Sequence, residues 1–206
     1  MKLPLVMGAA LLCAVRAEGN DSLLTPHATG VLTPIDEVPT KAALTEAFGS
    51  ADGLRAIALD RSIDVGVQLR AIRALPTLCP DPPAACPAAH DTLAAIIAAE
   101  QGAPRVPAST VRLRAAIEAF GALRSGNVGD VGVVGTFLGA PDPAQPGRIV
   151  GGDPSRDIRT AAARALRGMC TADARDRLSG AYSGEQIAQV KLEIQQSLTA
   201  LRACLP

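Results

Sequence analysis

The residues of this chain that could do chemistry are arginines and cysteines far more than histidines. Arg70, Arg73, Arg112, Arg114, Arg156, Arg159, Arg164 and Arg167 fall within three similarly worded segments, VQLRAIRAL from Val67, VRLRAAIEAF from Val111 and SRDIRTAAARALRGM from Ser155. If the segments are parallel helices, several of these guanidinium groups form a basic stripe. Arg70, Arg73, Arg112, Arg114, Arg159 and Arg164 are then the candidate binding residues. The competing reading makes them solvated helix faces with carboxylate partners one turn away, or ladder residues between helices.

Catalytic constellations are nearly absent. The two histidines, His27 and His90, read as solvated or structural residues. No Gly-x-Ser-x-Gly elbow presents a nucleophile. The glycine run at residues 126–139 lacks the Gly-Lys-Ser/Thr ending of a phosphate loop and reads as close packing. We therefore expect no enzyme, no cofactor and no metal site.

The cysteines point to a compartment. Residues 1–17 have a Lys2 start, an apolar run and small residues at 15–17, the pattern of an export signal. The apolar run is too short to span a bilayer. Leu11-Leu12-Cys13 loosely matches a bacterial lipoprotein box, which would acylate Cys13; cleavage after Ala17 is the alternative. Either way four cysteines remain, an even number that reads as disulfides in an exported chain. Of three possible pairings, spacing favours Cys79 with Cys86 and Cys170 with Cys204. A metal site would want a Cys-x-x-Cys pair and nearby histidines, and neither is present.

The elements that must position these groups are helices. Across 206 residues, 48% are hydrophobic but only 2% aromatic, so a core must come from Ala, Leu, Ile and Val. No long alternating run suggests strands. Residues 18–38, rich in Thr, Pro, Gly, Asn and Asp, read as a flexible tether, and 39–206 as one domain. Helical patterns are expected at 40–48, at 52–62, and from an Asp64 cap to a break near Pro76. Further helices are expected at 91–100, capped by His90 or Asp91, and at 109–124, capped by Ser109. Residues 128–139 could be a strand by valine content, but their place between two helices and glycines three or four apart favour a tightly packed helix. A proline- and glycine-rich loop spans 140–152. Asp153 and Pro154 read as the cap and first turn of a helix to 169. Residues 173–182 and 187–205 complete the set, the last with Ile187, Val190, Ile194, Leu198, Leu201 and Leu205 inward and Gln189, Lys191, Glu193 and Gln196 outward.

The segments at Val67, Val111, Ile158 and Val190 begin 44, 47 and 32 residues apart. Each carries a β-branched residue, then Arg, Lys or Gln, an apolar residue three further on, and Leu or Ala four beyond that, with spacings that suit a two-helix repeat. At these residues, over roughly 50–203, the chain resembles the HEAT-repeat family. The resemblance implies an all-α fold, a short right-handed α-solenoid of about four helical hairpins. In that family an aspartate six residues before the basic residue of the second helix builds an inter-repeat ladder. Asp153 and Arg159 match; Ser62 before Gln68 and Val106 before Arg112 do not, which implies an irregular solenoid.

The resemblance also implies a non-catalytic scaffold that binds a protein or peptide along its inner surface. Some HEAT-like proteins resemble chromophore lyases, so an accessory role is an alternative, as is a structural envelope lipoprotein. Zero net charge and few, scattered aromatics argue against nucleic acid. A membrane enters only if Cys13 is acylated. The expected location is exported: periplasmic, secreted or tethered to the outer membrane.

Overall fold

The computed structural model describes residues 24–34, 39–104, 106–145 and 147–205. The expected export signal, Cys13 and much of the tether lie outside them. The described residues form an all-α fold. Its helices are α1 (Pro26–Leu32), α2 (Lys41–Phe48), α3 (Ala51–Leu59), α4 (Val65–Ala74), α5 (Pro87–Gln101), α6 (Pro107–Ala122), α7 (Val128–Gly135), α8 (Arg156–Met169), α9 (Ala172–Gly184) and α10 (Ala188–Cys204). Among the described residues, strand structure is confined to β1 (Ala140–Pro141) and β2 (Ile149–Val150), paired antiparallel within the loop before α8.

Local chemistry accounts for the helix starts. Asp64 caps α4, its carboxylate accepting the Gly66 and Val67 amides. Asn127 caps α7 and Thr171 caps α9 in the same way. α4 gives way at Leu75 to a 3-10 turn, Leu75–Leu78, that contains Pro76. The valine- and glycine-rich segment is helical, as its position favoured.

Three starts differ from expectation. α5 begins at Pro87, ahead of His90 and Asp91, because Pro87 fits a first turn whose amides need no partner. α6 begins at Pro107 for the same reason. Ser109 then sits inside its first turn, its hydroxyl accepting the Val106 N–H at 3.3 Å. Before α8, Ser155 rather than Asp153 stands at the cap position; Asp153, two residues upstream, accepts the Ser155 N–H at 2.8 Å. Residues 26–32, expected within the tether, form α1, capped by Thr25 and seated through buried Ala28 and Leu32.

The packing follows chain order. α3 lies on α4, α5 on α6, α7 on α8 and α9 on α10. The second member of each pair also lies on the next, α4 on α6, α6 on α8 and α8 on α10. These four helices hold the aligned segments at Val67, Val111, Ile158 and Val190. The core between the layers is built from small and aliphatic side chains, among them fully buried Ala115, Ala116, Ala162 and Ala163, with Phe120 its largest member. The pairings that spacing favoured are present: Cys79–Cys86 with Cα atoms 5.5 Å apart and Cys170–Cys204 at 6.2 Å. The second ties the start of α9 to the end of α10. No described helix is long and apolar enough to cross a membrane.

Candidate functional site

The candidate arginines lie on α4, α6 and α8, and most hold a carboxylate. Arg112 Nε lies 2.9 Å from Glu100 Oε1, which also accepts from Arg61 at 2.7 Å. Arg73 and Arg114 share Glu118, at 3.6 and 2.9 Å. Arg164 and Arg167 share Glu193, at 2.7 and 3.7 Å. Arg159 lies 3.1 Å from Glu185. Arg156 pairs with its neighbour Asp157. Of the six candidate binding arginines only Arg70 makes no ion pair with a described residue. The glutamates cross between elements: Glu100 joins α5 to α6, Glu118 joins α6 to α4, and Glu193 joins α10 to α8. The row is a ladder of alternating charge rather than a bare positive field.

Burial splits the six. The side chains of Arg112 and Arg159 are 14% and 16% exposed and their glutamates 2% and 1%. These two pairs bind helix to helix. Arg73, Arg114 and Arg164 keep 38–51% of their side-chain surface, so they remain accessible beside their partners. The Arg164 guanidinium is held above its ordinary pKa, chiefly by the Glu193 hydrogen bond. Glu193 itself is buried, although the pattern of α10 put it on the solvent side; Leu192 takes the exposed place instead.

His90 is not simply solvated. Its Nδ1 lies 3.0 Å from Asp91 Oδ1 and its Nε2 lies 3.0 Å from Asp130 Oδ1, on α7. Its ring leans on Phe120 of α6 at 5.2 Å between centroids. Hydrogen bonds to Asp91 and then Asp130 raise its pKa above the usual imidazole value. The Ser125 hydroxyl donates to the other Asp130 oxygen, not to the imidazole. The hydroxyl–imidazole contact that activates a serine is therefore not made here. The cluster reads as a strut between α5 and α7. His27, far from it, lies exposed at 3.9 Å from Glu46. No group of three or more His, Cys, Asp or Glu among the described residues is arranged to hold a metal ion.

Sequence reasoning missed the glutamates. Only Arg114–Glu118, four apart on one helix, carried a local signal. The other partners are separated by 12 to 45 residues and meet only through packing. The chain matches no family model, no curated protein and no solved structure.

Proposed function

We propose that the chain is an exported, non-catalytic scaffold that binds a protein or peptide across the layer formed by α4, α6, α8 and α10, in the manner of a short HEAT-like solenoid. The observation that carries this reading is the packing of four similarly worded helices one on the next in chain order. Such a stack offers a surface that grows with each hairpin and buries its own apolar faces. Export is supported by the two cysteine pairs, which persist in oxidising compartments.

The alternating charges refine the partner. A surface of closed Arg–Glu pairs exerts little long-range pull, so recognition rests on shape and hydrogen bonds, with Arg70, Arg73, Arg114 and Arg164 at its accessible edge. The test is affinity capture from envelope extracts with wild type and with the Arg70→Glu/Arg73→Glu variant. Recovery of one partner by wild type and its loss in the variant supports the reading. Equal capture by both removes the arginines from it, and capture of nothing specific overturns the scaffold. Mass spectrometry of the mature N-terminus separates a free Glu18 from an acylated Cys13.

A further inference from the structure

The loop at 140–152 is long for a connection between two helices, and it is not idle chain. Its β2 strand is pressed onto the end of α9. A Cβ on Gly184 would stand 2.6 Å from Ile149 Cγ1 and 2.8 Å from the Arg148 carbonyl carbon, so only glycine admits this approach. One turn earlier, Gly180 faces Pro141 of β1, where a Cβ would meet the ring at 3.2 Å. The hairpin thus docks on a two-glycine seat. Beside the seat lies a half-open cleft of about 260 Å³ between the hairpin, the first turn of α8 and the α9–α10 junction. That volume falls just below the range of small-molecule sites, which begins at about 300 Å³.

The accessible cation at this cleft is a guanidinium. Arg148 and Arg159 both line it, with Glu185, Gln186 and Ile149. Glu185 offsets Arg159 at 3.1 Å, and its other oxygen accepts the Ile187 N–H at 2.7 Å. Arg148 is held only loosely, 3.9 Å from Asp142 and 3.1 Å from the Gln145 side-chain oxygen, and keeps 60% of its side-chain surface. The buried Nε of Arg159 has no acceptor among the described residues. Arg159 stands at the end of the first turn of α8, and Gln186 lies in the link between α9 and α10, one residue before the Ile187 cap. With Asp142 and Glu185 counted the two arginines are matched in number, but the accessible charge at the cleft is the planar Arg148 guanidinium, the group best matched to a carboxylate.

We propose that this cleft binds a carboxylate, with Arg148 as its principal ligand. The carboxylate belongs either to the C-terminal end of a peptide or to a free small acid. The inference draws on the scaffold reading only for the first of these sources.

The experiment is isothermal titration calorimetry of the full chain with three probes: acetyl-Ala-Ala-Ala as the free acid, the same tripeptide as its amide, and N-acetylalanine. Arg148→Ala and Gln186→Trp are run beside wild type; both sites are exposed, and circular dichroism checks their fold. The expected result is binding of the free acids, a loss of about tenfold or more on amidation, and the same loss in both variants. A tripeptide that binds more tightly than N-acetylalanine assigns a peptide terminus, and equal affinities assign a free acid. No binding of any probe, equal binding of acid and amide, or an Arg148→Ala variant that binds as wild type overturns the proposal. Partner capture that persists while the titrations fail leaves the scaffold standing and removes only the cleft.

Discussion

Gly121 of α6 lies directly against the backbone of Ala165 of α8: a Cβ built on Gly121 would stand 2.3 Å from the Ala165 Cα. The contact is reciprocal, since a Cβ on Gly168 would meet the Gly121 carbonyl oxygen at 2.7 Å. Two adjoining helices of the row therefore touch backbone to backbone at a point where neither has a side chain to retract. Gly121→Ala would normally favour a helix by propensity. Here the added methyl must push α6 and α8 apart, and overpacking of this kind costs about 1–3 kcal/mol or more. We expect Gly121→Ala to lower the thermal midpoint by roughly 3–10 °C. Ala122→Gly, at the end of the same helix, should cost no more than about 1 kcal/mol by propensity alone. A midpoint for Gly121→Ala at or above wild type would contradict the close approach.

That contact marks how far the sequence could be read. The helical period, the alanine-rich core and the four aligned segments were legible, because one-face periodicity and small residues leave local signatures. The helical state of residues 128–135 followed from context against valine propensity. What was hidden was long-range. Nothing in the sequence joins Glu193 to Arg164, or His90 to Asp130, because those partners meet only once the helices stack. Proline at 87 and 107 opens α5 and α6 ahead of His90, Asp91 and Ser109, so both helices start earlier than their polar cap candidates predict.

The His90 strut gives stability a pH dependence with a definite sign. The folded state raises the imidazole pKa, so its protonated form is favoured in the native protein. The resulting stabilisation is fully present below the unfolded value of about 6.5 and fades as pH rises through the folded value. The groups facing the ring are Asp91, Asp130 and Phe120, with Ser125 behind Asp130. Urea denaturation of wild type and His90→Gln at pH 5.5 and 8.5 checks this. The wild-type advantage should shrink at the higher pH, and modestly, because a third of the imidazole is exposed to screening solvent. An advantage that grows with pH would reverse the assignment.

The two cystine pairs close loops of different length, 7 residues for Cys79–Cys86 and 34 for Cys170–Cys204. In the chain-entropy account the longer loop stabilises by about 3–4 kcal/mol and the shorter by about 2–2.5 kcal/mol. The longer one also staples the far end of α10, which packs on α8 and α9. We expect Cys170→Ser/Cys204→Ser to lower the urea midpoint more than Cys79→Ser/Cys86→Ser, and reductant to match the double loss. Hydrogen exchange should then show α9 and α10 opening before α5 and α6. Uniform loss of protection would argue against a terminal staple.

Arg159 and Arg70 were equal candidates by spacing, yet the fold treats them oppositely. Arg159 neutralises Glu185, a carboxylate with 1% of its side-chain surface exposed, while Arg70 makes no ion pair with a described residue. Arg159→Ala strands that carboxylate in the interior, and breaking a buried pair in this way costs about 3–5 kcal/mol. Arg70→Ala removes a half-buried cation without stranding a carboxylate among the described residues and should cost less, about 1 kcal/mol. The double change Arg159→Met/Glu185→Gln replaces both charges and should recover much of the loss, since the cost lies in the unpaired charge rather than in the missing bridge. Linear extrapolation of urea curves for the four proteins separates these outcomes. If Arg159→Ala proves as mild as Arg70→Ala, Glu185 must be reached by water, and Arg159 returns to the set of side chains free to meet a partner.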